Sequence, residues 1–234
     1  MSLFMFSCGA YKKTAYFQDL QGNTSESIKN YVEMTVQPQD VLDIRVSSLN
    51  ADASALFNST MVKEDDGYVV DQSGNISVPG LGYVQVSGLT TPQVREKLLK
   101  LVAPSLKQPA VSVKILNFKV SVMGDVLRPG VYPVASERIT ITEAISAAGD
   151  LNITAKRKNV TLIRETDGVR NYIAIDLTSK DLFNSPYYYL RNNDVIYAQP
   201  GNMKYAQASR SYEIGALVLS ALSIAAIVFT TLVK

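Results

Sequence analysis

The sequence predicts an α+β protein: two small units that each alternate short strands with one helix, then a single apolar helix at the C-terminus. Three patterns predict it. Apolar and polar residues alternate in short runs over most of residues 31–200, and Gly, Pro, Asn and Asp separate those runs. The period becomes helical only near residues 90–103 and 140–149. After residue 214 the charges stop, and Gly215–Val233 is uncharged and apolar.

The first thirty residues are polar apart from the start, LFMFSCGA. The one cysteine of the chain, Cys8, follows an apolar stretch and the small Ser7, with Gly9 after it. A thiol this close to a terminus has little to bury it. The approach resembles the end of a bacterial lipoprotein signal, which makes Cys8 the expected lipid attachment site. Met5 stands where such signals usually carry Leu. Only seven residues precede Cys8 and none is basic, so the expected translation start lies further upstream. Residues 9–30 read as a polar tether that lets a folded body stand off a membrane.

In YVEMTVQPQDVLDIRV, Tyr31 to Val46, two alternating runs flank Gln37-Pro38-Gln39-Asp40 and read as strands around a turn. Asp71-Gln72-Ser73-Gly74-Asn75 is a turn between strands at Tyr68–Val70 and Ile76–Val78, and Tyr83–Val86 is a further strand. In TTPQVREKLLKLVAP a Thr cap, Pro92 in the first turn and apolar Val94, Leu98, Leu101 and Val102 predict an amphipathic helix, ended by Pro104. AVSVKIL alternates again.

The second unit opens with VSVMGDVLRPGVYPV, two strands around a loop holding Arg128-Pro129-Gly130. In TITEAISAAGD, Thr140 and Glu143 have capping-box spacing and Gly149 is a stop. Strands are expected at Val160–Arg164, Tyr172–Asp176 and Val195–Ala198. Tyr187-Tyr188-Tyr189 could stack sugar rings, but a structural role beside Asp194 is the better expectation.

The last segment has the length of a membrane span. As a helix, Gly215–Val233 reaches about 28 Å, against a hydrocarbon core of roughly 30 Å. Ten of its residues are Leu, Ile, Val or Phe. They favour insertion by roughly 3 to 6 kcal/mol before the Ser and Thr costs. Tyr212 and Lys234 suit the headgroup region at either end. Steps of four and three from Ala216 reach Ser220, Ser223, Ile227 and Thr230, a stripe that is small or polar except at Ile227. Ala216, Ser220, Ser223 and Thr230 are therefore the candidate pore-facing residues. The stripe also suits a lone anchor with hydroxyls bonded to their own backbone, or helix packed on helix.

Composition excludes much else. Histidine is absent, which removes Ser-His-Asp and Cys-His catalysis and the commonest metal ligand. A single cysteine makes no intrachain disulfide or cysteine-rich zinc site. Asp65-Asp66 reads as turn solvation. We expect no catalytic residue, metal or cofactor. A net charge of +2 argues against nucleic acid as a partner. The dense basic run Lys156-Arg157-Lys158 reads as a solvated loop.

QPQDVLDIRV, VDQSGNISVPGLGYVQVSGLT and the helix TPQVREKLLK resemble the N-terminal domain of outer-membrane polysaccharide export proteins of the Wza type. That family reads closer to Pro-Gly-Asp where this chain has Pro38-Gln39-Asp40. VSVMGDVLRPGVYPV, TITEAISAAGDL, NVTLIRETDG and LRNNDVIYAQP resemble an SLBB domain, a β-grasp module. The resemblance covers roughly residues 31–200 in collinear order. It implies a signal remnant and tether over 1–30, an export N-terminal domain over 31–117, one SLBB domain over 118–200 and a transmembrane helix over 212–234. Larger members carry two or more SLBB units. The resemblance further implies a ring, octameric in the best-known type, whose C-terminal helices line a channel. It also implies outer-membrane localisation, an inner-membrane co-polymerase or chain-length regulator as partner, and polysaccharide as cargo. The alternative is a membrane-tethered β-grasp module that holds a glycan or protein without forming a pore.

Overall fold

The computed structural model describes residues 14–28, 33–58, 67–166, 168–208 and 211–232. The architecture is α+β, built on two hydrophobic cores. In the first unit, β1 (Val41–Ser47) lies between β2 (Tyr68–Val69) and β5 (Ala110–Ile115), antiparallel to both. β3 (Asn75–Val78) and β4 (Gly82–Gln85) form a separate hairpin. The alternation in VLDIRVS does what period two requires, burying Leu42, Ile44 and Val46 on one face. Helix α2 (Thr91–Val102) closes that face with Val94, Leu98 and Val102, each at most 1% exposed. Its capping box is complete: Thr90 Oγ1 accepts from Gln93 N, and Gln93 Oε1 accepts from Thr90 N.

The second unit is a five-stranded mixed sheet in the order β7-β6-β10-β8-β9. Its strands are β6 (Lys119–Gly124), β7 (Gly130–Pro133), β8 (Ala155–Thr166), β9 (Val169–Ile175) and β10 (Val195–Pro200). β6 and β10 pair in parallel and the other neighbours are antiparallel. Helix α3 (Ile141–Ala147) packs Ile141, Ala144 and Ile145 on the sheet. That one helix against a mixed sheet is the arrangement the β-grasp expectation requires. The Thr140–Glu143 box starts the helix, and Gly149 at φ +78° follows its end. Helices α4 (Asn202–Ala208) and α5 (Ser211–Leu232) follow β10.

Several expectations need correction. Of the two alternating runs around Gln37–Asp40, only the second is a strand. The first shows one isolated bridge, Thr35 to Thr90, and Tyr31 and Val32 lie outside the described residues. Helix α1 (Ala51–Ala55) was not expected, because ADASA has no apolar period. Asn50 starts it by accepting from Asp52 N and Ala53 N. Lys156-Arg157-Lys158 is no loop. It opens β8, with Lys156 and Lys158 exposed and Arg157 buried between them. The three tyrosines sit in a turn rather than a strand. Tyr187 stacks on Arg164 at 5.6 Å, and Tyr188 meets Phe183 edge-on, so their role is structural.

The tether is also not free along its length. Phe17 N and Gln18 N donate to the carbonyls of Leu177 and Thr178, and Asp19 accepts from Ser179 Oγ and Lys180 N. The Phe17 ring packs 4.8 Å from that of Phe183. The polar composition hid two aromatics whose burial, with main-chain pairing, outweighs the entropy of ordering a short strap.

Candidate functional site: the root of the apolar helix and the joint between the units

Helix α5 holds the candidate span. Ile214–Leu232 is long and apolar enough to cross a membrane, and none of it is buried against the body. Ala216, Ser220, Ser223 and Thr230 share one face, as 3.6-residue periodicity demands, and all four are exposed. Their hydroxyls bond within the helix: Ser220 Oγ to Leu217 O at 2.8 Å, Ser223 Oγ to Leu219 O at 2.7 Å and Thr230 Oγ1 to Ile227 O at 2.8 Å. Internal satisfaction makes the stripe tolerable to lipid, water or a neighbouring helix alike. Cys8, the side chain of Tyr212, Lys234 and Asp65-Asp66 lie outside the described residues.

The five-stranded sheet has two ends with different attachments. At one end Asn117 and Asn192 hold the first unit. Asn192 Nδ2 donates to Asp40 Oδ1 at 2.7 Å, while its Oδ1 accepts from Lys119 N. Asn117 Nδ2 donates to Gln39 O and its Oδ1 accepts from Val41 N, both at 2.9 Å. The turn these amides grip is tight. Gln39 sits at φ +73°, the conformation that the glycine of the related motif adopts freely and that costs a side-chain-bearing residue about 1–2 kcal/mol. Burial pushes the Asp40 carboxyl above its ordinary value, more than the bonds from Gln37 and Asn192 pull it down. Between the units lies a groove of about 670 Å³, lined among others by Thr90, Lys114, Phe118, Val134 and Arg138.

Behind the joint, Arg164 and Asp194 form a buried two-pronged pair, with Nε to Oδ1 at 3.0 Å and Nη2 to Oδ2 at 2.6 Å. Asp194 also accepts from Arg191 N, and Arg164 reaches Tyr189 O.

At the opposite end, the carboxylate of Asp125 is fully buried at the root of α4. It accepts from Asn152 Nδ2 at 2.9 Å, from Thr154 Oγ1 at 2.6 Å and from the Lys204 ammonium. Gly201 N donates to Thr154 O at 2.8 Å. Burial alone would raise the Asp125 carboxyl. The bonds from Lys204, Thr154 and Asn152 outweigh it and hold the group below the ordinary aspartate value of 3.8. A depressed folded value means stability that is present at neutral pH and lost as pH falls below about 3.8. Asp125→Asn should therefore cost about 1–3 kcal/mol at pH 7, with the gap from the parent closing in thermal melts taken toward pH 3. A gap independent of pH would mean that Asp125 acts only through its shape.

None of these groups was assigned a role from sequence. Asp125 lies in the Gly-Asp-Val motif and was legible as part of a pattern, but its partners come from residues 27 to 79 positions away. Asn192 lies in LRNNDVIYAQP and was likewise legible only as part of a pattern, while Asn117 and Lys204 carry no local signal at all.

Residues 29–116 match the family model described as polysaccharide biosynthesis/export protein, and residues 118–198 match that of the SLBB domain. Over 138 residues the chain is 28% identical to the EPS I polysaccharide export outer membrane protein EpsA of Ralstonia solanacearum, covering 57% of this chain and 36% of that protein. The EpsA of Ralstonia nicotianae is 35% identical over 91 residues, 38% of this chain and 24% of that one. The exopolysaccharide production protein ExoF of Rhizobium meliloti is 31% identical over 116 residues, 48% and 27% respectively. The chain thus spans roughly a quarter to a third of the length of these curated relatives.

Proposed function

The chain belongs to the polysaccharide export proteins, with an export domain followed by an SLBB domain, and from that premise we propose that it is a subunit of a homo-oligomeric outer-membrane channel. In this reading the channel passes capsular or extracellular polysaccharide from the periplasm to the cell surface. Residues 31–117 and 118–200 form the periplasmic ring, 212–234 the spanning helix, and Cys8 carries a lipid. The partners are other copies of the chain, in an octamer-like ring, and an inner-membrane co-polymerase or chain-length regulator. The relatives are named for polysaccharide export and the outer membrane, which supports the cargo and the location.

The observation that carries the reading is α5. An apolar helix whose Ile214–Leu232 is buried by nothing among the described residues must find lipid or other copies, and its small, hydroxyl-bearing stripe gives it two unlike faces. Passage of a polymer needs a hydrated lumen and a driving force rather than bond chemistry. Subunits of a ring meet through heterologous surfaces that close by rotation. A tethered binding module that encloses no water is the second reading. It is favoured by the hydroxyls' bonds within the helix, which leave the stripe with no need of water.

Particle mass decides between them. After extraction in mild detergent, light scattering should give a several-fold multiple of the 25.6 kDa chain, and end-on micrographs should show a stain-filled centre. A 25.6 kDa particle would overturn the channel and leave the tethered module.

A further inference from the structure

The strap and the segment that leads to α5 meet the body at one place. Strand pairing sets the C-terminal ends of β6 and β10 and the start of β8 at the same end of the five-stranded sheet, opposite the joint with the first unit. There the 150–154 loop holds both exits. Tyr16 of the strap donates to Asp150 Oδ1, and its ring lies 5.4 Å from the guanidinium of Arg157, which binds Leu151 O and Asn152 O. Asn152 and Thr154 share Asp125 with Lys204, a few residues ahead of α5.

The surface around that loop is apolar and basic at once. Ile153 is 75% exposed and Leu127 is 64% exposed. Leu127 N donates to Asp150 O and Arg128 N to Ala148 O, which fixes both beside the loop. Arg128, Lys156 and Lys158 are exposed around them. The carboxylates at this end include Asp125, already neutralised by Lys204, Asp150, bonded to Tyr16 and to Leu151 N, and Asp176, exposed just past β9 and bonded to Thr178, with Asp19 of the strap bonded to Ser179 and Lys180 N.

We infer that this end of the SLBB domain is a lipid-contact face, with Leu127 and Ile153 dipping into the interface while Arg128, Lys156 and Lys158 meet lipid phosphates. Continuity with α5 chooses lipid as the occupant, because a body fixed at the foot of a spanning helix has its root against the headgroups. The charge agrees, since basic side chains with apolar neighbours bind anionic interfaces. The inference rests on α5 crossing a membrane.

The chain contains no tryptophan, so single Trp variants report one site each. Ile153→Trp, Leu222→Trp and Tyr83→Trp of the full chain would be reconstituted in vesicles of phosphatidylethanolamine and phosphatidylglycerol. Each would be compared with and without bromine on the acyl chains, on the carbons nearest the headgroup for 153 and 83 and on mid-chain carbons for 222, which lies near the middle of α5. Emission should fall about twofold or more at 153 and at 222, and stay unchanged at 83 in the first unit, on the order expected for a ring at the interface. Lys156→Gln and Lys158→Gln should each shift the docked population at 153 about fivefold toward undocked. If 222 is quenched while 153 stays as bright as 83, the lipid face is wrong and the span stands. If neither is quenched, the spanning helix falls with it.

Discussion

Leu222→Asp should block membrane insertion, whereas Ser223→Asp should leave the assembled complex in place. Both positions lie near the middle of α5 and both are exposed in the chain, so neither change disturbs the body. They differ in face. Leu222 stands among Leu219, Phe229 and Leu232 on the side assigned to lipid, where a central Asp costs roughly 2.5 to 3.5 kcal/mol. That is roughly a hundredfold in partition, about a factor of ten for every 1.4 kcal/mol. Ser223 belongs to the Ala216–Ser220–Thr230 stripe. If that stripe faces a water-filled lumen, its carboxylate stays hydrated and the penalty disappears. On a Cys8→Ser background, which removes the proposed lipid anchor, extraction of membranes with alkaline carbonate should release Leu222→Asp and retain Ser223→Asp. In the assembled complex a water-borne reagent should label a cysteine at 220 or 223 faster than one at 222 or 229. Equal loss of both Asp variants would mean a dry stripe, and the tethered module would replace the channel.

Asp194→Ala should be the most damaging single change in the body. It strands the Arg164 guanidinium, 6% exposed, with no carboxylate where two charge-assisted bonds stood. Breaking a buried pair by removing one partner costs about 3–5 kcal/mol. For a unit of this size that is a fall in Tm of more than about 10 °C. The change also releases the Arg191–Asp194 turn beside Asn192, and so loosens the grip on Asp40. Arg164→Met with Asp194→Leu removes both charges and should recover much of the loss, because no bare ion remains. Scanning calorimetry of the three proteins checks this. A double variant as unstable as Asp194→Ala would show that the turn, rather than the stranded cation, is responsible.

Much of this architecture follows from local chemistry. Helices α2 and α3 were legible because a cap, an apolar face and a stop all act within one or two turns. The core faces of β1, β5 and β6 were legible because period-two alternation is itself the cause of their burial. The long apolar helix α5 was plainest of all, since its length and lack of charge are legible without any fold. Pattern reading failed where a residue's environment came from elsewhere in the chain. Arg157 reads as solvated between two lysines, yet strand alternation points it inward beneath Tyr16, a contact made across 141 positions.

By itself the sequence determined the class, the order of the units, both capped helices and the apolar span, because each depends on periodicity and composition within a short window. Only the tertiary structure decided that the strap docks on the second unit, that Asn117 and Asn192 lock the first unit to one end of the sheet, and that Asp125 and Lys204 fix α4, just ahead of the apolar helix, at the other. Those bonds join residues 76 to 161 positions apart. An Asn or a Lys carries the same donors in a loop as in a clamp, and only burial beside its partner makes the difference.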